Sequence, residues 1–146
     1  MKLNRILVPT DFSASSDAAL RLATILARDS GASLLLLHVA EPRPAYTVAG
    51  VYAVLPTGGN EFSEENEHLQ KIVVPDSSIS VERRFAVGSP AEAVVQIARE
   101  EQVDIIVLGT HGRTGLARLL LGSVAESILR HADCPVLTVK SSAHLS

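Results

Sequence analysis

Leu34, Leu35, Leu36 and Leu37 stand in an unbroken row within the run Ser33 to Val39. A strand turns successive side chains to opposite faces, so such a row leaves neither face for water and needs cover on both. Helices packed on the two faces of a parallel sheet provide that cover, and the rest of the chain alternates strand-like and helical patterns in the way an α/β sheet requires. With 47% hydrophobic residues, 3% aromatic and no tryptophan, the core has to be built from Leu, Val, Ile and Ala.

Five strands and four helices can be placed. The first strand runs from Arg5 to Pro9, followed by a polar turn from Thr10 to Ser16 and a helix to about Arg28. On that helix Ala19, Leu22, Ala23, Leu26 and Ala27 recur at three- and four-residue spacing, and Gly31 is suited to end it. Ser33 to Val39 is the second strand. Three prolines and three glycines without a period make Ala40 to Asn60 a long surface loop, a kind that is uncommon and often functional. A short polar helix from about Glu61 to Val73 precedes Pro75, and Glu61, Glu64, Glu65 and Glu67 read as its solvated face. Ile79, Val81, Arg83 and Phe85 then alternate with polar residues, which predicts a third strand near a sheet edge.

Ser89-Pro90-Ala91-Glu92 reads as a helix start, with Ser as cap, Pro at the first helical position and Glu reaching back to complete a capping box. That helix runs to about Glu101, Asp104 to Leu108 is the fourth strand, and Gly109 to Leu121 is loop with room for one helical turn. Ser123 to Ala132 forms the fourth helix and Val136 to Lys140 the fifth strand, leaving Ser141 to Ser146 as a frayed tail. A length of 146 residues suits one domain over the whole chain, 1–146.

Several function classes are disfavoured at once. A formal net charge of −3 lacks the basic footprint of a nucleic-acid binder, so small ligands and proteins are the expected partners. No apolar stretch approaches the roughly 18 residues of a membrane span. Near the start, only Ile6 to Val8 are continuously apolar before Pro9, too short for a signal-peptide core. A single cysteine, Cys134, cannot form an intrachain disulfide and agrees with a reducing compartment, so a cytoplasmic location is expected. Cys134, at a strand entry before Pro135, reads as a packed thiol. The five histidines, at 38, 68, 111, 131 and 144, show no close-spaced pair, so no structural metal site is expected, and His38 reads as a buried, hydrogen-bonded residue.

The chemistry concentrates after the fourth strand, in Gly109-Thr110-His111-Gly112-Arg113-Thr114-Gly115-Leu116-Ala117-Arg118-Leu119-Leu120-Leu121-Gly122-Ser123-Val124. Gly109, Gly112 and Gly115 allow backbone N–H groups to converge on one anion, and phosphate is the natural candidate. The helix after Gly122 offers unpaired N–H groups and the positive end of its dipole, with the Ser123 hydroxyl as a further donor. Arg113 and Arg118 can neutralise charge. Ligands of open parallel sheets sit at the carboxyl ends of the strands, which also brings in Thr10-Asp11 and Val39-Ala40. Asp11 can accept hydrogen bonds from a ribose or base edge, Asp11 to Ser13 can equally cap the first helix, the two roles being compatible, and Val39 can pack on adenine. His111 is a contact residue rather than a catalytic one, and no residue is assigned as catalytic.

The spacing of Gly109, Gly112, Gly122 and Ser123, with two residues between the first pair and nine before Gly-Ser, resembles the ATP-binding signature of the nucleotide-binding branch of the universal stress protein family. Ile6 to Ser13, Leu36 to Val39, Gly88 to Ala93, Gly122 to Glu126 and His131 to Val136 also look like that family, and Glu41 to about Ser78 falls in its variable region. The resemblance implies a Rossmann-like (adenine nucleotide alpha hydrolase-like) five-stranded parallel sheet of order 3-2-1-4-5 with helices on both faces. It also implies a homodimer through the last strand, Val136 to Lys140. Pro9, Thr10, Asp11 and Val39 would hold the adenosine, and Gly109, His111, Gly112, Arg113, Gly122, Ser123 and Val124 the phosphates and ribose. ATP, or AMP or ADP, would be the ligand, with Mg²⁺ arriving alongside, and the role would be stress response or signalling through nucleotide-dependent conformation or binding of an unidentified protein partner.

Two other readings stand beside it: a dimeric scaffold without nucleotide binding, and an enzyme that cleaves ATP between its α and β phosphates. Enzymes of the second kind carry a Ser-Gly-Gly loop after the first strand, where this chain has Thr10-Asp11-Phe12-Ser13. Slow ATP hydrolysis is compatible with the first reading.

Overall fold

The leucine row divides the core in two. In a computed structural model, which describes residues 2–42, 47–48, 51–52, 62–111 and 121–141, β1 (Arg5–Pro9) leads into α1 (Ala14–Ser30) and β2 (Ser33–Ala40). Leu34 and Leu36 pack with Ile6, Val8 and the alanines of α1, whereas Leu35 and Leu37 pack with Leu7 on the opposite face. All four leucines are at most 1% exposed. Burying a leucine side chain fully is worth about 2 kcal/mol, so one octet of chain, β2, anchors both layers.

After β2 come the short antiparallel pair β3 (Thr47–Val48) and β4 (Val51–Tyr52), then α2 (Ser63–Lys71) and β5 (Val81–Val87). The expected loop from Ala40 to Asn60 therefore holds a two-stranded element; its remaining residues 43–46, 49–50 and 53–60 lie outside the described ones. The second helix ends sooner than its pattern suggests, at Lys71, where Ile72 turns extended (φ −61°, ψ 125°) three residues ahead of Pro75. Next follow α3 (Pro90–Glu100), β6 (Ile105–Gly109), α4 (Ser123–His131) and β7 (Val136–Val139).

The main sheet has the order β5-β2-β1-β6-β7, and every neighbouring pair in it is parallel. Counted along its five strands this is 3-2-1-4-5, the Rossmann-like arrangement, with β5 at one edge as its alternating pattern predicts. Leu69 of α2 joins the α1 side, while Val94 and Ala98 of α3 and Ala125 and Ile128 of α4 join Leu35 and Leu37 on the other. Gly31 closes α1 with φ 78° and an N–H bonded to the Ala27 carbonyl at 2.8 Å, the left-handed cap expected of glycine. The capping box of α3 does not form. Ser89 takes the N-cap position with extended backbone, yet its side chain makes no cap hydrogen bond, and Pro90 starts the helix with its preset φ and no N–H to satisfy.

At the amino-terminal end of the sheet, Arg5 of β1 and Arg84 of β5 share the carboxylates of Glu82 and Glu101. Arg5 meets Glu101 at 3.0 Å and also contacts Glu82, and Arg84 meets Glu82 at 3.0 Å and Glu101 at 2.8 Å. This closed ring of charge ties β1, β5 and the end of α3 on the side away from the candidate site.

Candidate functional site

From β1 the chain winds outward to β2 and β5, then returns to place β6 on the other side of β1. Strand order reverses there, and α1 and α4, the helices that follow β1 and β6, pack on opposite faces of the sheet, the arrangement at which open α/β sheets take ligands at the carboxyl ends of their strands. Pro9-Thr10-Asp11 leaves β1 at this point and Gly109-Thr110-His111 leaves β6. Past the strand ends, Thr10 N–H still bonds to Leu37 carbonyl (2.8 Å) and Thr110 N–H to Val139 carbonyl (3.0 Å), so both threonine backbones are held by the sheet.

The turn after β1 is built from short polar side chains. Buried Thr10 accepts the Phe12 N–H on its hydroxyl at 3.1 Å, and that hydroxyl lies 3.2 Å from Ser16 Oγ. Asp11 accepts the Ser13 N–H at 3.0 Å, an Asx turn, and Ser13 is the residue that caps α1, accepting the Ser16 N–H at 3.2 Å. Within Asp11 to Ser13, the stretch expected to cap the helix, Ser13 is the cap and Asp11 shapes the turn that leads to it. Phe12 adopts a left-handed backbone (φ 68°), which costs a residue with a Cβ about 1–2 kcal/mol. Its ring is held by stacking on His68 at 3.9 Å between centroids and by a tilted contact with His38 at 4.4 Å.

Gly109 has a reason to be glycine that loop geometry does not supply. It is the last residue of β6, and a Cβ placed on it would lie 2.3 Å from Ser15 Oγ and 2.6 and 2.7 Å from the Ser15 backbone carbon and oxygen. The first turn of α1 thus passes directly over β6. Ser15, buried, accepts the His111 N–H on its hydroxyl at 3.3 Å and donates to the Val139 carbonyl at 3.4 Å. Beyond the loop, Gly122 N–H returns to the Thr110 carbonyl at 2.6 Å and serves as the N-cap of α4 (φ −68°, ψ 160°) without any side-chain cap bond. The amino end of α4 is thereby fixed beside the end of β6.

A chain of contacts accordingly links Thr10 to Ser16, Ser15 to His111 and Val139, and Thr110 to Gly122. Pro9, Thr10, Asp11, Gly109, His111 and Gly122 belong to this one corner. Ser123 and Val124 open the first turn of α4 and are exposed, and Glu126 in that turn is engaged by Arg130 at 2.8 Å. Val39 lies one strand away, half-buried against the cluster formed by α3 and α4. Gly112 and Arg113, with Gly115 and Arg118, fall among residues 112–120, outside the described ones. Of the residues that join the two halves of the corner, Thr110 stood within the glycine-rich run without a role of its own, and Ser15 had no motif to mark it. Ser15 is a polar residue in a serine-rich turn, and its role depends on a strand far away in sequence.

Elsewhere, Cys134 is a half-buried thiol whose pKa is pushed up by burial, as expected of a packed cysteine. The described residues hold no group of three or more His, Cys, Asp or Glu placed to bind a metal, and none of their helices is long and apolar enough to cross a membrane. Glu65, expected on the solvated face of α2, instead turns inward to His38 at 2.5 Å.

A model of the Universal stress protein family matches residues 2–140. The chain belongs to the universal stress protein family. One curated member, universal stress protein MJ0577 of Methanocaldococcus jannaschii, is 34% identical over 152 residues, covering 93% of this chain and 94% of the relative. The solved structure of MJ0577 superimposes with a TM-score of 0.77 at 33% identity over the full length of both chains. Two further universal stress proteins share the fold with nucleotides bound. One, in complex with cAMP, has a TM-score of 0.70 and 26% identity over 97% of this chain and all of the other. The second, from Archaeoglobus fulgidus in complex with dAMP, has a TM-score of 0.68 and 25% identity over 96% of this chain and all of the other.

Proposed function

We propose that this universal stress protein binds an adenine nucleotide at the crevice between β1 and β6 and works in stress response or signalling through the conformation or partner binding that the nucleotide sets. The observation that carries the reading is the Gly122 to Thr110 hydrogen bond. It brings the uncapped start of α4, with its unpaired N–H groups and dipole, to the strand-order switch where Thr10 and Asp11 emerge. The residues fit such a ligand. Phosphate oxygens can accept from the first-turn N–H groups and the exposed Ser123 hydroxyl, with Gly122 adding no side chain to obstruct them. Pro9 and Val39 offer apolar surface to a base, and the Asp11 carboxylate is the acceptor we assign to a ribose. His111 and Val124 line the approach, and Gly109 serves by letting α1 close over β6. Gly112 and Arg113 complete the set of expected contacts.

The nucleotide is ATP, AMP or ADP, with Mg²⁺ accompanying the phosphates. Cyclic AMP and dAMP complexes of relatives support an adenine preference. As a working unit we take the chain as one domain, cytoplasmic, and paired with a second copy through the exposed edge of β7, where pairing would protect an open strand.

Native mass spectrometry of the purified protein, then titration with ATP, AMP, cyclic AMP and GTP with and without Mg²⁺, tests the site. Adenine nucleotides are expected to bind and GTP to bind at least tenfold more weakly, by about 1.4 kcal/mol or more. Gly122→Val should abolish binding without unfolding the chain, since its extended φ and ψ suit valine. No retention of any adenine nucleotide at about millimolar concentration, a binding energy near 4 kcal/mol, would refute the proposal.

A further inference from the structure

His38 is a buried side chain at the carboxyl end of β2 whose hydrogen bonds reach two other segments, the turn after β1 and α2. It is 3% exposed, with Nδ1 at 2.7 Å from the Thr10 carbonyl and Nε2 at 2.5 Å from the Glu65 carboxylate of α2. A backbone carbonyl can only accept, so Nδ1 must carry a hydrogen. The opposite nitrogen faces a carboxylate oxygen, and that contact needs one further proton, resident either on Nε2 or on Glu65. Without it two lone pairs would meet at a part-buried contact, and the clamp between β2 and α2 would weaken.

Around the ring, α2 brings Glu65 and His68, the latter stacked on Phe12, and β5 brings Phe85 at 5.7 Å between centroids. Arg83, on the same face of β5, is turned away and donates to the Ile72 carbonyl at 2.7 Å. Glu65 is thus the charged partner that the surrounding elements supply to His38 among the described residues. The carbonyl that His38 holds belongs to the residue immediately before Asp11, and the Phe12 ring that lies against it fixes the strained residue immediately after Asp11.

We infer that His38 and Glu65 are positioning residues of the nucleotide site, holding the turn that presents Asp11 from below and coupling it to α2. This rests on the nucleotide-binding reading above.

The test measures ATP and AMP affinity of the full chain by calorimetry for wild type, His38→Gln, His38→Asn and Glu65→Ala, together with ¹⁵N NMR of the histidine rings. In glutamine the amide nitrogen falls near the Nε2 position and loses the Thr10 carbonyl, so His38→Gln weakens binding by about tenfold, the worth of one buried hydrogen bond. In asparagine the amide nitrogen falls near Nδ1, and His38→Asn recovers most of that loss. Glu65→Ala weakens binding by roughly threefold, as the ring loses its second anchor. Wild type shows a slowly exchanging proton on His38 Nδ1. Equal affinities for wild type and His38→Gln, equal losses for His38→Gln and His38→Asn, or a rapidly exchanging Nδ1 proton would each overturn the inference while leaving nucleotide binding intact. A wild type that binds no nucleotide, with the slow ring proton present, overturns the binding reading and this inference with it.

Discussion

Replacing Gly109 by alanine tests whether that glycine answers to packing. The added Cβ would stand 2.3 Å from Ser15 Oγ, and 2.6 and 2.7 Å from the Ser15 backbone carbon and oxygen. Favourable contacts between heavy atoms fall near 3.5–4.0 Å, so the overlap is about 1 Å and two of the three atoms cannot rotate away. Relief requires α1 to lift from β6, which lengthens the Ser15 bonds to His111 and Val139 and uncovers Ala18 and Ala19, both 0% exposed. Overpacking a core costs typically about 1–3 kcal/mol, and a clash with helix backbone belongs at the upper end. For a chain of this size about 3 kcal/mol lowers Tm by roughly 10 °C. Urea unfolding read by circular dichroism should show the midpoint falling with the slope unchanged. Ser15→Ala combined with Gly109→Ala should fail to rescue stability fully, because removing the hydroxyl leaves the Ser15 backbone carbon and oxygen at 2.6 and 2.7 Å. A Gly109→Ala protein within 0.5 kcal/mol of wild type, or one fully rescued by Ser15→Ala, would refute this account and return Gly109 to a purely ligand-facing role.

Two further outcomes follow from the same structure. Arg84→Ala opens the ring of charge formed with Arg5, Glu82 and Glu101, and should destabilise the chain by about 1 kcal/mol at low salt, with the difference from wild type shrinking toward zero near 1 M NaCl; a salt-independent difference would contradict an electrostatic origin. The Cys134 thiol is pushed up in pKa by burial, so the protonated form is favoured by the fold and its contribution is complete below the thiol's ordinary value and lost as pH rises through the folded one. Alkylation of native protein by iodoacetamide should therefore lag that of urea-unfolded protein at neutral pH and catch up only in alkali. Equal native and unfolded rates would contradict the burial.

Local pattern carried far in this chain. The leucine row, the spacing of Ala19, Ala23 and Ala27, and the alternation around Arg83 and Phe85 each depend on near neighbours in sequence, and each appears in the structure as the expected buried strand, core-facing helix and edge strand. Gly31 was equally legible, because a left-handed cap is a local need. The short β3–β4 pair was missed because two-residue strands leave no periodicity to detect. Ser89 and Glu92 had the right spacing for a capping box that the structure does not use, and Pro90 alone marks that helix start.

The candidate site divides along the same line. The placement of Gly109, Gly122, Ser123 and the Thr10-Asp11 turn at strand ends and a helix start could be read from sequence because such ends are announced locally, and sheet topology then requires those ends to share one edge. What only the tertiary structure decided is which residues bind the pieces to one another: Ser15 beneath Gly109, Thr110 to Gly122, and His38 between Thr10 and Glu65. Each of these pairs joins segments brought side by side by packing, and a hydrogen bond or a steric limit between such segments leaves no periodic trace in either one. Sequence by itself determined the sheet, its order of elements and the residue types at its rim; the close approach of α1 to β6 and of α2 to β2 decided which of those residues hold the rim in shape.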